Sequence, residues 1–368
     1  MASPLPLAGL KVLDFTTLLP GPLATLMLAE AGADVLKIER PGGEDMRRYQ
    51  PAFEEQGAAF SLLNRGKRSQ AIDLKSESGL LKVKSLLEEA DILVEQFRPG
   101  VMERLGLGYE AVSRAFSRLI YCSISGYGQS GPRAAEAGHD INYIAATGLL
   151  ALQPGPLERP VVPPALVADI GGGTFPAVIN ILLALRQRDL TGRGCRLDIA
   201  MTDAMFMFAW HALASGHAGG AFPKPGASKL VGGSPRYQLY RTRDDKLVAC
   251  GALEDHFWRA FTAAIGLDAA LADDARDPAR TREAVAARIA QRTAAEWKPV
   301  LAAADCCATI VASLEEALRD PHFVQRGLFD ATITAPSGAT LPALPLPLDP
   351  QFRAPAGSRP DCRLDGER

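Results

Sequence analysis

The sequence predicts an α/β fold, with a large domain on a parallel sheet and a smaller domain of a few strands and several helices. Three observations carry this. In the first half, short apolar strands alternate with helical stretches of about 10–15 residues, the pattern of a parallel sheet covered by helices. The chain has 368 residues, and at roughly 150 residues per domain that length predicts two domains. The composition then breaks at Ser215–Pro235, which holds many Gly and Pro residues and little periodicity, as a domain boundary does.

The elements follow in order. Lys11–Phe15 (KVLDF) reads as a buried strand. Pro22–Ala31 follows as a helix, with Pro in its first turn and Gly32 as its stop. Asp34–Glu39 is the next strand. Another unit runs from a strand at Ala71–Leu74, through a helix at Gly79–Ala90, to a strand at Asp91–Phe97. Arg118–Ser125 is a further apolar strand. Parallel sheets of this kind bind ligands at the carboxyl ends of their strands. A Gly-rich turn, Gly171–Gly173, leads into a long apolar helix over Phe175–Arg188. Thr191–Gly194 turns the chain into a strand at Arg196–Ile199, and a helix over Thr202–Ala214 follows. After the linker, strands at Tyr237–Arg241 and Lys246–Gly251 are joined by a turn at Asp244–Asp245. Helical, Ala-rich sequence fills most of Glu254–Leu318. The tail, with six prolines between Pro336 and Pro355, reads as an extended strap. These readings place a first large domain at 1–214, a linker at 215–235, a small domain at 236–330 and a strap at 331–368.

Composition narrows the function. Apolar residues make up 47% and charged residues 22%, which excludes a disordered chain. The net charge of −2 gives no general affinity for nucleic acid. The N-terminal MASPLPLAGLKVLDF has no basic stretch followed by an apolar one, so no secretory signal is expected. Ala177–Leu185 and Ala204–Ala214 are the longest apolar stretches and fall far short of the ~20 residues that span a bilayer. No membrane partner is expected. The six cysteines are scattered without a CxxC pair, so neither a zinc site nor a redox motif is expected. Free thiols suit the cytoplasm.

Most familiar motifs fail. Gly126, Gly128 and Gly131 spell GxGxxG directly after a strand. Pro132 follows and no amphipathic helix opens there, whereas a dinucleotide site needs a helix N-terminus for the pyrophosphate. His211 and His217 are six apart, wrong for a helical metal pair. Two polar segments remain in apolar surroundings: Gly138–Tyr143 (GHDINY) and Val167–Gly173 (VADIGGG). Asp169 in the second reads as lying where a strand meets a helix N-terminus. Backbone N–H groups of the glycines there suit an anion. On local sequence, Asp169 is either a helix cap or a reacting carboxylate, and His139 is either structural or catalytic. Glu254 follows a strand and is either a first-turn helix carboxylate or a third acidic site residue.

The segments LAGLKVLDFT, ADVLKIERPGGEDMRR, NRGKRSQAIDLK, ADILVEQFRPGVMERLGLGYE, SGYGQSGP, GHDINY, ADIGGG, TGRGCRLDIAMTDA and DPHFVQRGLF together resemble the family III CoA-transferases (CaiB/BaiF type). That superfamily includes α-methylacyl-CoA racemases, and the GHDINY context is most like that branch. The resemblance covers nearly the whole chain. It implies a large Rossmann-like parallel-sheet domain and a smaller α+β domain, arranged as an interlocked homodimer. It implies coenzyme A as part of the substrate and no permanently bound cofactor or metal.

Residue by residue, the resemblance gives the coenzyme A phosphates to Arg40, Lys75, Arg98 and Arg104. Arginine forks and lysine point charges suit such phosphates. It gives the adenine side to Ile72, Gln96 and Phe97, and a further coenzyme A contact to Asp140. Asp169 matches the nucleophile of the transferases, which forms an acyl anhydride, and an acid/base in the racemases. His139 matches the racemase histidine, and Glu254 matches its acidic partner. Inverting the α-carbon of a 2-methylacyl-CoA needs two bases on opposite faces, one starting protonated; His139 and Asp169 fill these roles. Backbone donors near Asp140 or Gly171–Gly173 suit the enolate oxygen. The helix after the glycines begins Thr174-Phe175-Pro176, where racemases carry Ser and Met. Three readings therefore stand: racemase, carboxylate CoA-transferase through Asp169, and non-catalytic acyl-CoA binder.

Overall fold

The computed structural model describes residues 4–155 and 158–365. The chain groups into two compact units. One comprises the chain up to Thr147, Pro163–Met207 and the chain from Pro321 on; the other is Gly148–Val162 with Phe208–Asp320. The short stretch 148–162 carries no composition signal that would assign it to the second unit.

The first unit is built on a seven-stranded sheet. Its order is Leu364–Asp365, Arg68–Ala71, Asp34–Glu39, Lys11–Phe15, Ile92–Glu95, Ile120–Ser125, Arg196–Ala200. Every pairing is parallel. All carboxyl ends therefore open on one edge. Strand alternation sends Leu13, Phe15, Leu36, Ile38, Leu93 and Tyr121 to one core, where Val83 and Leu87 of the helix Glu77–Leu87 cover them. Each such buried side chain contributes about 1.5–3 kcal/mol. The opposite face holds Asp14 and Lys37, paired in register, beneath the buried helix Pro20–Glu30. The last strand, Leu364–Asp365, adds to the sheet edge beside Ser69 and Gln70.

Several elements differ from expectation for physical reasons. The strand expected at Ala71–Leu74 lies at Arg68–Ala71, because pairing with Leu36–Glu39 sets its bounds. The first helix starts at Pro20, two residues early. Ala168–Thr174 is not a strand end followed by a turn. It is a π-helical turn that runs directly into the helix Phe175–Thr191. Among the described residues, 158–167 form no strand, and Pro163 and Pro164 there lack two ladder donors. This corrects the reading of apolar stretches as too short to span a bilayer. The continuous helix Ala168–Thr191 has 24 residues and is long and apolar enough, by length and composition, to cross a membrane. Half of its most apolar part is buried inside the protein, as in a core helix.

The second unit is α+β. Its sheet is antiparallel, in the order Ala308–Ile310, Leu247–Gly251, Tyr237–Arg241. The hairpin turns at Asp244–Asp245, where Asp245 takes a positive φ of 61°. The helices Asp255–Ala264, Pro278–Ile289 and Ala294–Ala304 close a core of Trp258, Phe261, Val285, Ile289, Trp297 and Leu301.

Candidate active site

The carboxyl-end loops of the first unit form two neighbouring cavities. One, of about 440 Å³, is lined by loops after the strands Lys11–Phe15, Asp34–Glu39 and Arg68–Ala71, and by Phe97. The other, of about 460 Å³, is lined by the loops after Lys11–Phe15, Ile92–Glu95, Ile120–Ser125 and Arg196–Ala200, together with His139, Asn142, Tyr143 and Asp169. Thr17, Leu18 and Phe97 line both. The carboxyl edge of a parallel sheet thus supplies a two-part groove with a shared waist.

The waist is held by a buried charge network. Leu18 takes a positive φ of 60°, a conformation that costs a non-glycine residue about 1–3 kcal/mol. Asp14 Oδ1 accepts the Thr16 N–H at 2.9 Å, and Lys37 Nζ donates to the Thr16 carbonyl at 2.6 Å. Lys67 Nζ donates to Asp14 Oδ2 at 3.1 Å, and Lys37 pairs with Glu44 at 2.9 Å. Burial works against the Asp14 charge, but Lys67, Lys37 and two threonine hydroxyls hold its carboxyl well below the usual carboxylate range. Burial pulls the Lys67 ammonium down to about 8, against the attraction of Asp14.

The second cavity is lined by His139 and Asp169. His139 is the N-cap of the helix Asp140–Ala146. Asn142 fixes its backbone: Asn142 Oδ1 accepts the His139 N–H at 3.0 Å, and the Asn142 N–H donates to the His139 carbonyl at 2.8 Å. Tyr143 donates its hydroxyl to the Gly138 carbonyl at 2.5 Å. Its ring leaves no room for a Cβ at Gly126 or Gly138, which explains two glycines of this site by close approach. Asp140 is buried, and its Oδ1 accepts the backbone N–H groups of Ala168 at 2.7 Å and Asp169 at 2.9 Å. The start of the π-turn is thereby tied to the His139 helix. The glycines after Asp169 lie within the π-helical turn Ala168–Thr174. A Cβ at Gly172 would lie 2.3 Å from the Met201 carbonyl, and one at Gly173 would lie 2.9 Å from Pro20. They let the turn sit against the Met201 loop and the start of the helix Pro20–Glu30. Burial, then the negative charge of Asp140, push the Asp169 carboxyl up to about 6, while His139 opposes the shift.

The structure thus brings His139 and Asp169 to one cavity with Gln96, Phe97 and Arg98. Arg40, Ile72, Lys75 and Phe97 line the other. Arg40 bonds the Gly43 carbonyl and Asp45. Gln96 Oε1 accepts the Gly21 N–H at 3.1 Å, which joins the helix Pro20–Glu30 to the waist. Arg104 and Asp140 line neither cavity. Glu254 belongs to the second unit, exposed at the N-cap of Asp255–Ala264. Among the described residues no group of three or more His, Cys, Asp or Glu side chains is placed to hold a metal. Sequence reasoning missed Tyr143 and Glu95. Glu95 is buried, its Oε2 accepts the Phe97 N–H at 2.8 Å, and burial pushes its carboxyl up to about 7 against its bonds to Ser123 and the Phe97 N–H. The signal was an acidic residue inside an apolar strand.

The family model of CoA-transferase family III matches residues 7–364. The chain is 36% identical over 331 residues to the α-methylacyl-CoA racemase of Homo sapiens, covering 88% of this chain and 82% of that protein. It is 37% identical over 265 residues to the acetyl-CoA:oxalate CoA-transferase of Acetobacter aceti, covering 71% of this chain and 67% of that protein. The crystal structure of a CaiB/BaiF family protein from Brucella suis matches with a TM-score of 0.79 and 30% identity, covering 94% of this chain and 93% of that one.

Proposed function

The chain belongs to CoA-transferase family III and is an enzyme of the acyl-CoA racemase or CoA-transferase kind; from that premise we propose that it inverts the α-carbon of a 2-methyl-branched acyl-CoA. The observation that carries this reading is one cavity lined by both His139 and Asp169, with the Asp169 carboxyl lifted to about 6. That value brings a carboxyl into the range where imidazoles titrate. A carboxyl lifted this far is present in both its protonated and ionised forms near neutral pH, as a group that donates and accepts a proton in turn requires.

In one direction His139 takes the α-proton and the C–H electron pair becomes the thioester enolate. Asp169, protonated, returns a proton to the opposite face, and the enolate electron pair forms the new C–H bond. The reverse direction exchanges the two roles. Backbone N–H groups at the start of the Asp140–Ala146 helix meet the enolate oxygen. Arg40, Ile72 and Lys75 hold the nucleotide end of coenzyme A in the first cavity, with Phe97 at the waist. Arg98 holds the stretch nearer the thioester. The exposed apolar side chains Ile179, Leu182, Leu183 and Leu190 on the helix Phe175–Thr191 support a homodimer. Cysteines that are free throughout suit a cytoplasmic enzyme.

A second reading has a specific basis, the likeness to a CoA-transferase together with Asp169 in the cavity. There the Asp169 carboxylate attacks the thioester carbonyl, the C–S bond breaks, and coenzyme A leaves as thiolate from an acyl anhydride.

One experiment decides between them. A single enantiomer of a 2-methylacyl-CoA is incubated in D₂O with no acceptor acid. Loss of the α-proton with inversion is expected. No exchange, with coenzyme A transfer to an added carboxylate, overturns the racemase reading. Asp169→Ala abolishes either reaction, whereas His139→Ala abolishes the racemase alone.

A further inference from the structure

We propose that Asp140 is the positioning residue of this site: its buried carboxylate anchors the first turn that carries Asp169 and opposes a second negative charge beside it. This rests on the reading of Asp169 as proton donor and acceptor.

The geometry has two parts. One oxygen of Asp140 accepts two consecutive backbone N–H groups, those of Ala168 and Asp169. A single side chain therefore fixes where the Asp169 backbone begins. The same side chain follows His139 directly in sequence, so one dipeptide places both reacting groups. Charge then enters. Two carboxylates in close surroundings resist joint ionisation, and the negative charge of Asp140 raises the Asp169 carboxyl.

The charged groups around Asp169 assign this effect to Asp140. The Asp140–Ala146 helix and its cap contribute His139, Asp140 and Tyr143, and neighbouring loops contribute Arg98 and Glu136. The helix Pro20–Glu30 carries no titratable side chain before its last residue. The strand Arg196–Ala200 offers Asp198, whose carboxylate is engaged by the Gln129 N–H, and Arg196 at its far end. The helix Phe175–Thr191 is uncharged as far as Arg186. Among these groups Asp140 is the carboxylate bonded to the Asp169 backbone.

The test separates anchoring from charge. Asp140→Asn keeps an oxygen for the two N–H groups and removes the charge. Asp140→Ser is a second neutral acceptor if the first variant folds poorly. Melting temperatures of the full-length protein are measured at pH 4 and pH 8, with and without Asp169→Asn in each background. The gain from Asp169→Asn at pH 8 is expected to fall to about half when Asp140 is neutral, since burial remains. No such coupling is expected at pH 4. In parallel, the acid limb of α-proton exchange moves down by about one pH unit in Asp140→Asn. A merely structural role does not move that limb. An undiminished gain at pH 8 in both neutral backgrounds overturns the proposal. Absence of exchange in the wild type overturns the racemase reading instead, because the melting cycle needs no turnover.

Discussion

Asp169→Asn is expected to make the protein more stable while abolishing its activity. Burial and the Asp140 charge raise the carboxyl from its ordinary 3.8 to about 6. Each pH unit of that gap corresponds to about 1.4 kcal/mol of preference for the protonated form. The ionised side chain therefore costs the folded state about 3 kcal/mol at most. The sign follows from linkage. The folded state binds this proton more tightly than the unfolded chain does. The stabilisation is fully present below pH 3.8, is lost as pH rises through about 6, and is gone at pH 8. Asparagine matches the protonated carboxyl in shape and never ionises. The variant should equal the wild type near pH 4 and exceed it at pH 8. About 1 kcal/mol moves Tm by about 2–4 °C in a domain of 150–250 residues, so the gain is about 6–12 °C at most. Thermal melts across pH 4–8 measure it, and taking the difference between variant and wild type removes every group common to both. An equal difference at both ends of the range, or a variant less stable at pH 8, refutes the reasoning.

Three further outcomes follow from the framework. Asp14→Asn leaves the buried ammoniums of Lys67 and Lys37 without their shared carboxylate, and should lower stability by about 3–5 kcal/mol in denaturant unfolding. Gly172→Ala sets a methyl 2.3 Å from the Met201 carbonyl; it should cost about 1–3 kcal/mol and lower α-proton exchange, because the turn that must move carries Asp169. Arg40→Ala combined with Lys75→Ala removes both cations from the first cavity, and should raise KM for acyl-CoA about tenfold or more with kcat little changed, measured in steady state.

How far the sequence revealed this molecule depends on the range over which each signal acts. The strands Lys11–Phe15 and Asp34–Glu39 stand where their apolar runs place them, because strand period and length are local properties. The strand Arg68–Ala71 is not local in that sense. Its bounds come from pairing with Leu36–Glu39, and the apolar Ile72 and Leu74 that suggested a later strand line a cavity instead. The site divides in the same way. His139 and Asp169 stand out because ionisable groups amid apolar residues need a reason, but local sequence leaves each open between a structural and a catalytic role. The triple glycine misleads, because glycine carries two local meanings. Its freedom in φ suggests a turn, but none of Gly171, Gly172 and Gly173 has a positive φ. What the site requires is the missing Cβ, against Met201 and Pro20, residues about 30 and 150 positions away along the chain. Asp140 is the sharpest case. In sequence it is the acidic neighbour of a histidine, with nothing to separate a ligand contact from a helix cap. Only the approach of residue 168 to residue 140 gives its carboxylate two donors and sets its charge against the carboxyl of Asp169. A residue whose effect passes through another's backbone leaves no pattern of its own, because the bond that defines it forms only when the chain has folded.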